Sequence, residues 1–178
     1  EKFDSNLDFL FNFGSPCCTT YPPIPDGEFE EIRGVHVDSN GYIYVIEAAG
    51  SRGQKFDSAG NFIFSFGSHG TGPGQISSGG SDLVTDRFGN IFAVDSNNDK
   101  VIKFDSSGDF IWEFGSNGSG DGQFDYPAGI DIDSNDNIFV TDSNNDRVQV
   151  FSYDENTENL TGLSCGTTYH YRAFATNE

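Results

Sequence analysis

The sequence predicts an all-β protein built from repeated four-stranded antiparallel sheets, and three observations carry that prediction. The first is composition: 18 Phe, 7 Tyr and 22 Gly among 178 residues, with no Met. No stretch sustains the i, i+3, i+4 spacing of an amphipathic helix through the glycines and Asn-Asp turns. The second is a period. Phe56, Phe104 and Phe151 recur 48 and 47 residues apart, and Asp38, Asp86 and Asp133 keep step with them, as do Glu47, Asp95 and Asp142. A fixed period in the forties marks a repeat architecture. The third is that each period packs short alternating runs between turn signals. A unit that small cannot bury both faces alone, so neighbouring units must stack.

Taken in order, residues 1–14 (EKFDSNLDFLFNFG) match the end of a unit. Lys2-Phe3-Asp4-Ser5 recurs as Lys55-Phe56-Asp57-Ser58 and as Lys103-Phe104-Asp105-Ser106. The run beyond it is the fourth strand of each unit, carrying Phe9, Phe11 and Phe13, then Phe62, Phe64 and Phe66, then Phe110, Trp112 and Phe114. Aromatic residues at alternate positions are expected on one face of the strand, as sheet-on-sheet packing requires. Residues 14–28 form a connector holding four of the six prolines, with Gly-rich counterparts starting at Gly67 and Gly115. Gly118, Gly120 and Gly122 are not a phosphate loop, because neither a helix nor Gly-Lys-Ser/Thr follows.

The first complete unit spans 29–67, with strands expected at 35–37, 42–46 and 52–56. Asn40-Gly41 is its hairpin signal, since both residues tolerate positive φ. Gly53 stands where the other units have Val101 and Val148, which makes this unit the least regular. The second unit spans 76–115, turning at Asp86-Arg87-Phe88-Gly89. The third spans 124–151, with strands at 129–132, 137–141 and 147–151, and its pattern breaks before an aromatic fourth strand. Residues 152–159 (SYDENTEN) read as an acidic linker, and 160–178 follow a different alternation.

Charge excludes some partners. With 28 acidic against 9 basic side chains the net charge is −19, which repels phosphate backbones and anionic membrane surfaces. Nucleic acid is therefore not expected as a partner, and no apolar run reaches the ~18 residues of a membrane helix. Without an initiator Met or a signal peptide, the sequence reads as a mature product or a piece of a longer chain. Cys17, Cys18 and Cys165 form neither a disulfide framework nor a zinc motif; one of the first two could pair with Cys165 in an oxidising compartment.

The third unit carries Gly122, Phe124, Pro127, Gly129, Ile130, Asp133, Asn137, Ile138, Asp142, Asn145, Arg147, Val148 and Phe151 in a pattern that resembles the NHL repeat. The resemblance runs over residues 2–151, with Glu47-Ala48-Ala49-Gly50 departing from it in the first unit. It implies blades of a β-propeller, three blades' worth in a partial or open ring, where about six would close one. Leu160, Leu163, Gly166, Thr168, Tyr169, Arg172, Ala175 and Asn177 resemble the later strands of a fibronectin type III domain, with Tyr169 at the tyrosine corner. Together the two resemblances imply an extracellular protein.

Candidate chemistry is sparse. Asp95, Asn97 and Asp99, and again Asp142, Asn144 and Asp146, place oxygens at positions 1, 3 and 5, as a calcium loop begins. Neither run has Gly at 6 or Glu at 12, and Asx side chains that bond their own backbone explain both motifs without metal. Calcium is thus the one cofactor raised, and the turn reading is preferred. His36, aligned with Val84 and Asp131, is expected on the axis-lining strand, but His69 and His170 fall elsewhere, so no zinc site is expected. No nucleophile elbow occurs. The function expected is a non-catalytic recognition or scaffold module that meets protein or glycan through its blade loops. The alternatives are a metal-dependent lyase or lactonase, and a homo-oligomer or filament. In the latter the strand with Phe9, Phe11 and Phe13 completes the last blade of another copy.

Overall fold

The computed structural model describes residues 2–3, 8–16, 24–154 and 159–161. Among these, β1 (Lys2–Phe3) and β2 (Phe9–Phe11) pair as a hairpin, and β3 (Ser15–Pro16) runs parallel beside β4 (Glu28–Phe29). Three four-stranded antiparallel sheets come next, each in chain order. Blade 1 is β5 (Ile32–Val37), β6 (Ile43–Glu47), β7 (Arg52–Phe56) and β8 (Phe62–Phe66). Blade 2 is β9 (Gly80–Thr85), β10 (Ile91–Asp95), β11 (Lys100–Phe104) and β12 (Phe110–Phe114). Blade 3 is β13 (Pro127–Ile132), β14 (Asn137–Asp142), β15 (Arg147–Asp154) and β16 (Asn159–Thr161). The fold is all-β, as expected.

The repeated aspartates set the hairpins. Asp38 Oδ1 accepts the N–H groups of Asn40 and Tyr42, both at 2.9 Å, and Asp57, Asp86, Asp105 and Asp133 repeat the arrangement. One carboxylate thereby closes each turn and fixes the register of the strands beyond it. The left-handed turn residue is Gly in four of these, from Gly41 at φ 85° onward, and Asp136 at φ 62° in the fifth. Aspartate tolerates that conformation better than most residues.

Burial comes from stacking. Between blades 1 and 2, Tyr44, Ile46 and Phe66 meet Leu83, Ile91, Ile102 and Phe104. Between blades 2 and 3, Val84, Phe92, Val94 and Val101 meet Ile130, Ile138, Val140 and Phe151. On the free side of blade 1, Ile43, Val45 and Phe56 lie under Phe13 and Phe29. Each fully buried side chain of this size contributes about 1.5–3 kcal/mol.

Two expectations need correcting. The aromatic stripe does not lie on one face. Lys55 pairs with Phe64 and Phe56 with Phe62, so a bulge interrupts the pairing of β7 with β8, and β11 with β12 has the same irregularity. An extra residue in one strand reverses the facing of the residues beyond it. Phe62 therefore packs on the free side of blade 1 while Phe64 and Phe66 face blade 2; Phe110 likewise faces blade 1 while Trp112 and Phe114 face blade 3. Next, residues 152–154 are not linker but the continuation of β15, and Asn159 pairs with Asp154. Apart from these two, β2 pairs with β1 of the same chain, and Phe13 packs on Phe56 at a ring separation of 5.1 Å.

Gly53 has a physical reason. A Cβ there would lie 2.1 Å from the Phe66 ring, which fills the space that the side chains of Val101 and Val148 hold in the other blades. Cys17, Cys18, Cys165, His170 and the fibronectin-like stretch beyond Thr161 lie outside the described residues.

Candidate functional site

Two regions gather polar chemistry. The first is the loop rim, where the turn between the second and third strands of each blade meets the connector arriving from the blade before. A buried carboxylate pins the two together. Asp95 accepts the Ser77 N–H at 2.7 Å, the Ser77 hydroxyl, and the Asn98 side-chain amide at 2.8 Å. Asp142 accepts the Asp125 N–H at 2.8 Å, Arg147 Nε at 2.8 Å, Gln149 Nε2 at 3.1 Å and the Asn145 amide at 3.0 Å. Glu47 does the same with the Glu30 N–H, Arg52 and Gln54. All three carboxylates are fully buried. Burial alone would push the Asp142 carboxyl up, but the Asp125 N–H, Arg147 and Asn145 outweigh it and hold it below the usual carboxylate value.

The candidate metal residues lie along the same rim. Asp99 Oδ1 accepts the Tyr126 N–H at 2.8 Å and its Oδ2 the Asn117 amide at 2.9 Å, so it faces the next connector and not Asp95. Asn97 backs onto Gly79, where a Cβ would lie 2.6 Å from its backbone N. Asn144 donates to Asp125 at 2.8 Å, and Asp146 is the left-handed residue that ends the turn, at φ 52°. The carboxylates of Asp95, Asp99 and Asp142 thus accept from protein donors in different segments of the chain. Among the described residues no group of three or more His, Cys, Asp or Glu side chains is placed to hold a metal.

The second region is the row of first strands, where β5, β9 and β13 lie side by side. His36 Nε2 meets the Thr85 hydroxyl at 2.9 Å, and Asp82 Oδ2 accepts the Ile130 N–H at 3.1 Å. Burial lowers the His36 pKa, opposed in part by the charges of Asp38, Asp131 and Asp82. His36 and Asp131 were legible from the repeat; Asp82 and Thr85 were not singled out. The available signal for Asp82 was its place opposite Gly34 and Gly129 in the other units. Phe9, Phe11 and Phe13 lie apart from both regions, beyond the free side of blade 1.

Comparison with known proteins now bears on this arrangement. Residues 124–151 match the NHL repeat. The NHL repeat of blade 3 and the stacked sheets make this a β-propeller segment. Among solved structures, a streptogramin B lyase superposes with a TM-score of 0.57 at 20% identity over 77% of this chain and 40% of its own. A Bacteroides fragilis protein provisionally described as exported gives 0.54 at 18% identity, over 86% of this chain and 41% of its own. A Bacteroides thetaiotaomicron protein of unknown function gives 0.53 at 12% identity, over 82% and 34%. This segment therefore spans about two-fifths or less of the structures it resembles, and the likeness is one of fold. No curated protein matches it by sequence. The expectation of a non-catalytic module is overturned: a solved protein of the same fold is a lyase, so this architecture gives no ground for setting enzyme chemistry aside.

Proposed function

We propose that this segment belongs to an exported β-propeller whose loop rim binds a protein or glycan. The observation that carries the reading is Tyr126. It is half exposed, sits at φ 57° in a region tyrosine seldom enters, and has its N–H captured by Asp99 of the blade before. Backbone strain retained by a surrounding network is characteristic of binding positions, and a fixed aromatic ring loses little freedom on meeting a ligand. The buried carboxylates keep the rim rigid around it. A panel of glycans and exported proteins should yield a ligand for the intact chain. Tyr126→Ala should then weaken that ligand by about 10-fold or more while leaving the melting temperature unchanged. A ligand bound equally by both proteins removes the reading.

A second reading places lyase chemistry along the first strands, and His36 favours it. Its pKa is lowered, so it is largely neutral at pH 7 and able to take a proton, with Asp82 and Asp131 nearby. Loss of a streptogramin B antibiotic on incubation with the chain, abolished by His36→Ala, would support it. A substrate left intact by the wild-type chain counts against it.

A further inference from the structure

Blade 2 buries an amine, a side-chain amide and a carboxyl in one compartment. Asn90 Nδ2 donates to Asp86 Oδ2 at 2.7 Å. Lys103 stands opposite Phe92 in the pairing of β10 with β11, so Asn90, two residues before Phe92, is its diagonal neighbour on the same face. Diagonal neighbours lie about 7–8 Å apart, within reach of a long side chain. That face packs on blade 3, away from water: Lys103 is 1% exposed and Asp86 7%. Lys103 Nζ lies against the rings of Phe92 and Trp112, and its charge acts on the Asp86 carboxyl. The other two blades each lack one member of the set. Blade 1 has Asp38 and Lys55 but Tyr42 in the place of Asn90, and blade 3 has Asp133 and Asn137 but Val150 in the place of Lys103.

We propose that Lys103 and Asn90 join through an intramolecular isopeptide bond, with Asp86 moving the protons. Asp86 first takes one proton from the Lys103 ammonium. The freed lone pair attacks Asn90 Cγ and a C–N bond forms. The Cγ–Nδ2 bond then breaks with its electron pair. The departing nitrogen collects one proton from the attacking nitrogen and the one held by Asp86, and leaves as ammonium. Asp86 ends ionised as it began, and no oxidant or other reactant is consumed. The surroundings suit each step. Burial raises the Asp86 pKa, opposed in part by the bonds from Asn90 and Phe88 and by the charge of Lys103, so this carboxyl holds a proton more readily than one in water. Packing between two strands keeps amine and amide together, which replaces a bimolecular encounter with a positioned one. The same packing limits the water that would compete with the amine. The product is a covalent tie between β10 and β11 of the middle blade that uses no cysteine and survives reduction.

The intact mass of the purified chain, measured in denaturant, should fall about 17 Da below the sequence mass, the weight of the ammonia lost. Trypsin should no longer cleave after Lys103, and a branched peptide should join Lys103 to the segment holding Asn90. Lys103→Met and Asn90→Ala should each carry their full sequence mass. Asp86→Asn keeps both reacting groups, and serves where those variants fail to fold; it should form the branched peptide at least ~100-fold more slowly. A wild-type chain of full mass overturns the proposal. So does a deficit that mild alkali reverses, which marks ring closure at Asn40-Gly41 or Asn117-Gly118. A branched peptide formed equally fast in Asp86→Asn overturns the role given to Asp86.

Discussion

Blades 2 and 3 are written in nearly the same residues and fare differently. Every residue of β10 and β11 is buried, including Lys103, whose Nζ lies 5.3 Å from the Phe92 ring centre and 5.7 Å from that of Trp112. In blade 3 the equivalent positions alternate: Ile138, Val140 and Phe151 are buried, while Thr141, Val148 and Val150 face out. Among the described residues, blade 2 has a neighbour on each side and blade 3 on one. The comparison teaches that a blade is only half a core, and that the next blade decides whether its other half is interior or surface. Where the middle blade puts Lys103 among rings, the last blade has Val150, so the cation–π contribution of about 0.5–2 kcal/mol has no counterpart there.

Substitutions can sharpen that contrast. The largest effect expected is Phe104→Ala, about 3–5 kcal/mol of lost stability by denaturant unfolding, against less than about 1 kcal/mol for Val150→Ala in the single chain. Comparable losses at both would mean that the outer face of blade 3 is covered. Gly53→Val should come next at about 1–3 kcal/mol, since Phe66 must leave its place, and a second substitution of Phe66 to Leu should recover part of it. Asp142→Ala should cost about 1–3 kcal/mol by stranding the Asp125 N–H and Arg147, and Asp95→Ala should behave alike if the pins are equivalent.

The smallest effect is one of pH. The Asp142 carboxyl is held below its ordinary value in the fold, so it adds stability above the unfolded carboxylate pKa of about 4, and that contribution is lost as pH falls through its folded value. Asp86 has the opposite sign: burial raises its pKa, so its contribution is present in acid and lost as pH rises through the folded value. Melting curves from pH 3 to 6 should therefore show a shallower acid limb in Asp142→Asn and a steeper one in Asp86→Asn. Unchanged slopes in both would mean that neither carboxylate has the surroundings described.

Much of the fold was legible because periodicity and turn chemistry are local. Each repeated Asp bonds amides two and four residues ahead, so a hairpin is written within about five residues of sequence. The bulge was not legible. Phe62, Phe64 and Phe66 alternate perfectly on paper, and only pairing with β7 shows that one residue has no partner and that the stripe divides between two junctions. The rim was half legible. Asp95 and Asp142 stood out by their spacing, and that spacing also suits calcium. The difference between pin and ligand is where the oxygens point, and that depends on Ser77 and Asp125, both 17 or 18 residues away along the chain. Tyr126 carried no signal at all, because its strain and its capture by Asp99 belong to the junction between blades 2 and 3.

The sequence by itself determined the repeat, its turns and the apolar faces, since each depends on residues within one strand or one hairpin. Tertiary structure alone decided which of those faces became core and which carboxylates became pins. Burial and hydrogen-bond partnership are properties of pairs of blades, and no single repeat contains its neighbour.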